Sequence, residues 1–335
     1  MPGVFIRIFI LVFLYGGFSP GHCTLKQKEK GRQDNSHHIR WHSTINNDNT
    51  AGSTGFWNRI IDKIAGKEQI SISRPVAYIK PGANSAYILC QESGKVLTGK
   101  RGKFVNYENR KDEWKTFPSL VDACAIPGND ILFTDSYLNS IFQASENGIL
   151  TKFNTSVQLE RPTGIDYSPV TSTIWVSESA EHRLSEFSLD GKLIKRVGIR
   201  GTGPLEFNYP THLCIDGKGF IYVIDAMNFR VQILDRDGNF IGSFGEHGDA
   251  TGKFARPKGI AVDSRGNIFI VDALFNSVQV FTREGELLYY FGSHGSENGE
   301  FILPAGISID DNDYIYISDT YNNRIQVFEP GSTRE

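Results

Sequence analysis

Hydrophobic and polar positions alternate in short runs through most of this chain. In the stretch that begins at Pro210, the apolar runs HLCID and FIYVID are separated by the turn DGKG, and RVQIL is followed by RDGN and FIGSFG. Alternation over such short runs predicts strands, and an Asp-Gly pair between two runs predicts a tight hairpin. The pattern predicts four antiparallel strands, and no window there has a convincing helical period of 3.6 residues.

The four-strand pattern recurs six times without an insertion. Each copy starts at an anchor proline, and these prolines are 43 to 48 residues apart: Pro75, Pro118, Pro162, Pro210, Pro257 and Pro304. A four-stranded unit of roughly 45 residues that must bury both faces against its neighbours is typical of a β-propeller blade. The sequence therefore predicts an all-β fold, a six-bladed β-propeller of four-stranded antiparallel blades over residues 58–330.

The sixth copy has no fourth strand, because only seven residues follow its third strand, residues 324–328. Residues 60–66, IIDKIAG, have the same order of apolar, polar and small residues as the fourth strands FIGSFG and LLYYFG. We expect this N-terminal strand to pair with residues 324–328 and to close the ring, because closure removes exposed sheet edges.

The first 57 residues differ from the rest. Residues 1–21 have one arginine, an apolar core from Ile8 to Tyr15 and then small residues, which predicts a secretory signal peptide cleaved after Gly21. An uncleaved membrane anchor and a lipid anchor on Cys23 are the alternatives. The polar residues 22–57 predict a disordered linker. We therefore expect an extracytoplasmic protein, periplasmic or secreted, without a membrane span in the mature chain.

Charge and cysteine content narrow the possible partners. The chain beyond residue 55 carries 29 Lys and Arg against 35 Asp and Glu, so an acidic ring gives no electrostatic support for nucleic-acid binding. Cys124 and Cys214 each stand eleven residues before the Asp that ends strand two, which predicts small, buried, free thiols on the innermost strands. Cys90 stands where other copies have that Asp. The chain has no C-x-x-C-H motif for haem attachment.

The recurring core P-x-G-I-x-x-D, I-x-I-x-D-x-x-x-N-R-I-Q-V-F and F-G-x-x-G resembles the NHL-repeat family of six-bladed β-propellers. The stretches PAGISIDDNDYIYISDTYNNRIQVF and PTHLCIDGKGFIYVIDAMNFRVQIL carry the resemblance, which is strong over the last three copies and weak over the first two. With its signal peptide, the chain looks like the exported bacterial members. The resemblance implies a possible association with multihaem cytochrome systems or other envelope complexes.

Fold alone does not fix function in this family, whose members include an amidating lyase, RNA-binding domains and protein-interaction modules. The resemblance implies that a lyase would hold zinc through three histidines, each next to an anchor proline. Here those residues are Val76, Ser119, Thr163, Thr211, Lys258 and Ala305, and only His212 stands nearby. We found no nucleophile–base pair, phosphate loop or carboxylate dyad with motif support. We expect no catalytic residues, no metal and no cofactor.

The leading hypothesis is a non-catalytic interaction or scaffold module, monomeric, that binds a protein partner. We place the partner on the face formed by the loops between strands two and three and between strands four and one, and we expect the channel mouth there too. The candidate contact residues are Tyr137, Arg200, Phe229, His247, Phe275, His294 and Tyr321. The alternative is a metal-dependent propeller enzyme of the lyase or lactonase type with a site in the axial channel.

Overall fold

A computed structural model describes residues 39–47, 71–83, 85–100, 103–107, 116–154 and 157–331. The residues expected to form the signal peptide lie outside this part of the chain. Three short 3₁₀ turns lie within the ring: Ser179–Glu181, Ala226–Asn228 and Thr320–Asn322. No described helix has the length and hydropathy needed to span a membrane.

The strands form six four-stranded antiparallel sheets, the blades, numbered in chain order. Blade 1 contains β2 Pro75–Gly82, β3 Ser85–Cys90, β4 Lys95–Lys100 and β5 Lys103–Asn106. Blade 2 contains β6 Leu120–Ile126, β7 Asp130–Asp135, β8 Ser140–Ala144 and β9 Leu150–Lys152. Blade 3 contains β10 Pro162–Ser168, β11 Thr173–Glu178, β12 Arg183–Ser188 and β13 Leu193–Val197.

The second half of the ring repeats this order. A short parallel pair, β14 Ile199–Arg200 and β15 Glu206–Phe207, precedes blade 4. Blade 4 contains β16 Pro210–Ile215, β17 Ile221–Asp225, β18 Arg230–Leu234 and β19 Phe240–Phe244. Blade 5 contains β20 Pro257–Val262, β21 Ile268–Asp272, β22 Ser277–Phe281 and β23 Leu287–Phe291. Blade 6 contains β24 Ile307–Ile309, β25 Ile315–Asp319, β26 Arg324–Pro330 and the N-terminal β1 Ile39–Ile45.

Each blade buries its two faces against its neighbours. The first strands contact one another around the ring, and β24 contacts β2, which brings the last blade against the first. The buried apolar side chains form clusters that each join two adjacent blades; one of them packs Trp175 of blade 3 against Leu213 and Val223 of blade 4. The prediction of a six-bladed propeller closed by an N-terminal strand is confirmed.

The closing strand is β1 and not residues 60–66, which lie outside the described part of the chain. Ile39 pairs with Pro330 and Ile45 with Ile325, and Arg40 forms an ion pair with Glu329. Ile39 is buried in the cluster between blades 5 and 6. The expectation of a disordered linker over 22–57 is therefore wrong for these seven residues, because their apolar side chains and backbone amides complete blade 6.

In blade 2, the first strand starts at a different residue from the predicted anchor proline. Leu120 pairs with Asp135, as Pro210 pairs with Asp225 in blade 4, so Leu120 and not Pro118 starts the first strand. The residue that follows the anchor there is Val121, which leaves the absence of an adjacent histidine unchanged.

The loop that follows strand four is fixed by a buried phenylalanine. Phe254 is fully buried, and a Cβ on Gly245 would lie 2.3 Å from its ring. Gly245 also has a φ of 103°, which disfavours a residue with a side chain. Phe207 and Phe301 are equally buried and meet Gly198 and Gly292 in the same way, so we call these three phenylalanines the pegs of the loops.

Candidate functional site

The first strands of the blades enclose an axial cavity of about 490 Å³. On the side of the two–three and four–one loops, which we call the loop face, neighbouring first strands touch: the Gly259 amide donates to the Ala305 carbonyl at 2.9 Å. On the opposite side, the turn face, the cavity reaches the exposed turn residues Ala83, Asp311 and Asn312. The mouth therefore lies on the turn face, and the expectation of a mouth on the loop face is wrong.

Two carboxyl groups from neighbouring blades face the cavity. Asp122 Oδ2 accepts a hydrogen bond from the Ile165 amide at 3.3 Å, and Asp166 Oδ2 accepts one from the Ile215 amide at 2.7 Å. The first strand of a blade is a sheet edge, so its inward amides have no partner strand. Each carboxyl group thus satisfies an edge amide of the next blade.

The surroundings of both acids raise their pKa values. Burial raises the pKa of Asp122 well above its usual value, and the charge of Asp166 adds to the effect. Burial also raises the pKa of Asp166 to about 7, although backbone hydrogen bonds oppose the rise. Among the described residues, no Lys or Arg forms an ion pair with either acid. The wall formed by blades 2 and 3 therefore holds two acids without a cationic partner.

Two thiols stand beside these acids. Cys124 and Cys214 are buried, free and in the same register position of their blades, as the repeat predicted. Burial, with Asp166 as the second cause, raises the pKa of both thiols. Cys90 is also free and buried, at the end of β3. These thiols are protonated at neutral pH, so they are poor nucleophiles.

His212 lies at the closed end of the cavity. The residue is 6% exposed, and its Nδ1 has no hydrogen-bond partner. Burial, followed by the charge of Lys258, lowers its pKa to about 3, so the imidazole is neutral. No three His, Cys, Asp or Glu side chains of the described residues are grouped so that they could hold a metal ion. The cavity residues therefore do not fit a three-histidine zinc site.

The mouth of the cavity is held by a compact polar contact. The Lys80 ammonium lies 2.7 Å from Asp310 Oδ2, which also accepts a hydrogen bond from the Tyr316 hydroxyl at 2.9 Å. The Tyr316 ring stacks on Tyr78 with a centroid separation of 4.6 Å. This arrangement joins blades 6 and 1 and pairs the lysine at the mouth.

The residues predicted for partner binding lie in loops of the loop face. Tyr137 and Tyr321 are highly exposed in two–three loops. Phe229 and Phe275 are half-buried, and Phe229 packs against His247 with ring centroids 4.4 Å apart. Three more candidates are exposed in four–one loops, where each pairs in register with a phenylalanine peg: Arg200, His247 and His294.

The register shows a recurrent exposed position that the sequence reasoning missed. The second residue after the acid that ends strand two is large and exposed in blades 2, 4, 5 and 6, with exposed fractions of 76%, 56%, 55% and 50%: Tyr137, Met227, Leu274 and Tyr321. The sequence prediction names the aromatic residues Phe229 and Phe275 of these loops, which stand at other register positions, and not Met227 and Leu274. Counting from the Asp would have found all four.

These loops are rigid because the acid at the end of strand two anchors them. Asp225 Oδ2 accepts hydrogen bonds from Asn228 and Arg230 at 2.8 Å each, and Arg230 donates in turn to carbonyls of the preceding loop. Asp319 holds Asn322 and Arg324 in the same way. The same hydrogen-bond network thus recurs in blades 4 and 6.

Comparisons with known proteins agree with this architecture. The NHL-repeat model matches residues 301–328, and a model described as a 6-bladed beta-propeller matches residues 149–231. A search of curated proteins returned no match for the sequence.

Three solved structures illustrate the range of similar folds. A streptogramin B lyase has 14% identity and a TM-score of 0.60 over 88% of this chain and 98% of that one. A gluconolactonase from Xanthomonas campestris has 14% identity and a TM-score of 0.58 over 77% and 86%. An auxiliary nutrient binding protein from Bacteroides thetaiotaomicron has 10% identity and a TM-score of 0.59 over 78% and 69%. Identities this low show the fold alone.

The blades, their closure and these matches define the class of this protein as a six-bladed β-propeller. Within that class, residues 301–328 match the NHL-repeat model.

Proposed function

We propose that this propeller is a non-catalytic binding module that holds a protein partner on its loop face. The observation that carries the proposal is the recurrence of a large exposed side chain at one loop position. Met227, Leu274 and Tyr321 follow one another on three consecutive blades, and the Arg74 guanidinium of blade 1 stacks on Tyr321 at 4.9 Å from the ring centroid. We call these four residues the loop-face arc.

The arc has the composition that favours tight association. Tyr and Arg are enriched among the residues that contribute most to protein interfaces. Single exposed apolar residues are ordinary, whereas apolar residues repeated on one face of a ring are typical of an interaction surface. The anchored loops also present these side chains in fixed positions, which lowers the entropy lost on binding.

We propose further that the chain is exported, since residues 1–21 have the pattern of a signal peptide. The partner would then be an envelope component, and the resemblance to exported NHL proteins makes a multihaem cytochrome complex one candidate. N-terminal sequencing of the mature protein should begin between His22 and Thr24. An intact Met1 on protein from the cytosol would contradict export.

Site-specific photo-crosslinking tests the binding face. A photoreactive residue replaces Leu274 or Tyr321 in the arc, or Ile194 or Ile241 as matched controls. The control residues are each 53% exposed and apolar, but they lie on the outer strands β13 and β19. We expect one protein adduct from the arc positions and none from the controls. Adducts formed only at the outer strands would place the partner elsewhere.

The similar lyase and lactonase folds keep an enzymatic alternative open, with its site in the axial cavity. That alternative predicts turnover that is lost on substitution of cavity residues and is unaffected by changes in the arc. Burial keeps the cavity thiols protonated at neutral pH, and no described group of three His, Cys, Asp or Glu side chains could hold a metal ion. The binding function therefore has the stronger support.

A further inference from the structure

The residue directly before the anchor position of each blade lies on the loop face, where the strand that lines the axis begins. This residue is an arginine in blades 1, 3 and 5 and is neutral in blades 2, 4 and 6. The six residues, in blade order, are Arg74, Ser119, Arg161, Tyr209, Arg256 and Leu303. Because consecutive blades are neighbours in the ring, the three arginines stand on alternate blades around the axis.

The backbone holds these arginines in place while their side chains face solvent. All three are exposed. The Arg74 amide donates to Asn323 Oδ1 at 2.8 Å. The Arg161 amide donates to Asn139 Oδ1 at 2.9 Å. Such contacts set the position of each residue and leave its guanidinium available to a partner.

Lys258 adds a fourth positive charge at the same end of the axis. It follows the anchor proline of blade 5 directly and is half-buried. Burial, followed by the charge of Arg256, lowers its pKa, and its own charge acts on His212 of blade 4. A partly buried ammonium beside a second cation is costly unless a negative group compensates it.

The four cations, which we call the basic centre, are Arg74, Arg161, Arg256 and Lys258. None of them has an ion pair among the residues that the structure describes. The chain beyond residue 55 is nevertheless acidic, with 29 Lys and Arg against 35 Asp and Glu. A concentration of unpaired positive charge on an acidic molecule indicates a surface that is complementary to a negative partner.

We propose that the basic centre binds a short acidic segment of the protein partner, whose carboxylates contact Arg161, Arg256 and Lys258 while a neighbouring apolar side chain packs on the loop-face arc. The inference rests on the proposed function, because both use the loop face. Arg74 belongs to both sets of residues, since its guanidinium stacks on Tyr321. A guanidinium that stacks on a ring can still donate hydrogen bonds from its edge to a carboxylate.

An acidic peptide fits this surface better than a nucleic acid. A neutral blade separates each arginine from the next, so the cations form a compact centre and not the basic groove that follows a phosphate backbone. The acidic remainder of the ring would repel the rest of a long polyanion. A segment that presents a few carboxylates at the axis and apolar residues beyond them avoids this repulsion.

Fluorescence anisotropy on the full chain at low ionic strength tests the proposal. The probes are labelled hexaglutamate, the neutral hexaglutamine and the nucleic acid hexathymidylate. We expect hexaglutamate to bind most tightly, with an affinity that falls as NaCl is added, because salt screens exposed charges. Equal binding of hexaglutamate and hexaglutamine, tighter binding of hexathymidylate, or binding of no probe would overturn the proposal.

Two matched double variants assign the contacts. Arg161→Gln/Arg256→Gln removes two charges of the basic centre, so we expect hexaglutamate to bind roughly tenfold more weakly. The control Lys218→Gln/Arg236→Gln removes the same charge from exposed residues of the turn face and should bind like the parent. Equal weakening by the two pairs would mean that net charge alone is read, which contradicts a site at the basic centre.

Lys258→Met gives a second, opposed readout. Methionine keeps most of the length of lysine without its charge, so we expect the melting temperature to rise while hexaglutamate binds more weakly. A lysine with a purely structural role would give the opposite result, with lower stability and parent-like affinity. That outcome would exclude Lys258 from the site.

Competition with photo-crosslinking separates this inference from the proposed function. With the photoreactive residue at Leu274, we expect hexaglutamate to lower the yield of the partner adduct and hexaglutamine to leave it unchanged. The absence of an adduct under every condition would contradict binding at the loop face. An adduct whose yield hexaglutamate does not change would contradict the acidic segment alone.

Discussion

At the scale of single residues, one loop position both shapes a turn and joins two blades. The fourth residue after the acid that ends strand two has a left-handed backbone, with φ between 51° and 55°: Asn139, His182, Phe229, Asn276 and Asn323. Asn276 Oδ1 accepts the Leu303 amide of the next blade at 2.8 Å, and Asn323 Oδ1 accepts the Arg74 amide at 2.8 Å. Asparagine suits both tasks, because it tolerates this conformation and carries an acceptor.

Replacing one of these asparagines should weaken the contact between two blades. We expect Asn276→Ala to lower the free energy of unfolding by about 1–2 kcal/mol, because it removes a hydrogen bond and strains the backbone. Asn276→Gly relieves the backbone strain and should therefore lower the free energy of unfolding by less. Asn298→Ala, in an exposed loop, is the control and should be neutral. Denaturant unfolding measures all three, and equal stability of Asn276→Ala and the control would contradict the inter-blade role.

The raised pKa of Asp166 predicts a specific dependence of stability on pH. The carboxyl titrates near ~4 in an unfolded chain and near about 7 in the folded one. Between these values the folded chain binds more protons, so this acid makes stability fall as pH rises. Asp166→Asn removes this pH-dependent fall in stability. The stability of the variant relative to the parent should therefore increase from pH 4 to 7, by an amount on the order of a few kcal/mol. A pH-independent difference would show that the acid is not buried in this way.

At the scale of elements, the propeller depends on a strand that is distant in sequence from its partner. β1 and β26 pair from Ile39 with Pro330 to Ile45 with Ile325, so the two ends of the described chain are held in one sheet. The alternation that predicts strands was visible in IRWHSTI, but the polar composition around it favoured a linker. Residues 60–66 match the fourth-strand pattern better, yet β1 occupies the edge of β26. A pattern match alone does not decide between two candidate strands.

Two truncations distinguish β1 from residues 60–66 as the strand that closes the ring. Removing residues 1–38 keeps β1 and should leave the melting temperature nearly unchanged. Removing residues 1–46 deletes β1, exposes the edge of β26 and uncovers the cluster that contains Ile39, so we expect a fall of at least several degrees. Equal melting temperatures for the two truncations would contradict closure by β1.

At the scale of the whole molecule, the two faces of the ring have different chemistry. The loop face carries the arc of exposed apolar residues, and the turn face carries the mouth of an acidic cavity. The repeat made the blades predictable, since prolines, glycines and strand alternation recur in register. The cavity acids were not predictable in this way, because Asp122 and Asp166 occupy different positions of their blades. Only the closed ring brings them together with His212.

The central claim is that the loop-face arc binds the partner, and the most direct test is an affinity measurement. The partner identified by crosslinking is titrated against the parent, Leu274→Ser/Tyr321→Ser and Ile194→Ser/Ile241→Ser, with folding checked by thermal unfolding. We predict that the arc variant binds at least about tenfold more weakly, which corresponds to about 1.4 kcal/mol, and that the outer-strand variant binds like the parent. Parent-like binding by a folded arc variant, or a loss confined to the outer-strand variant, would contradict the account.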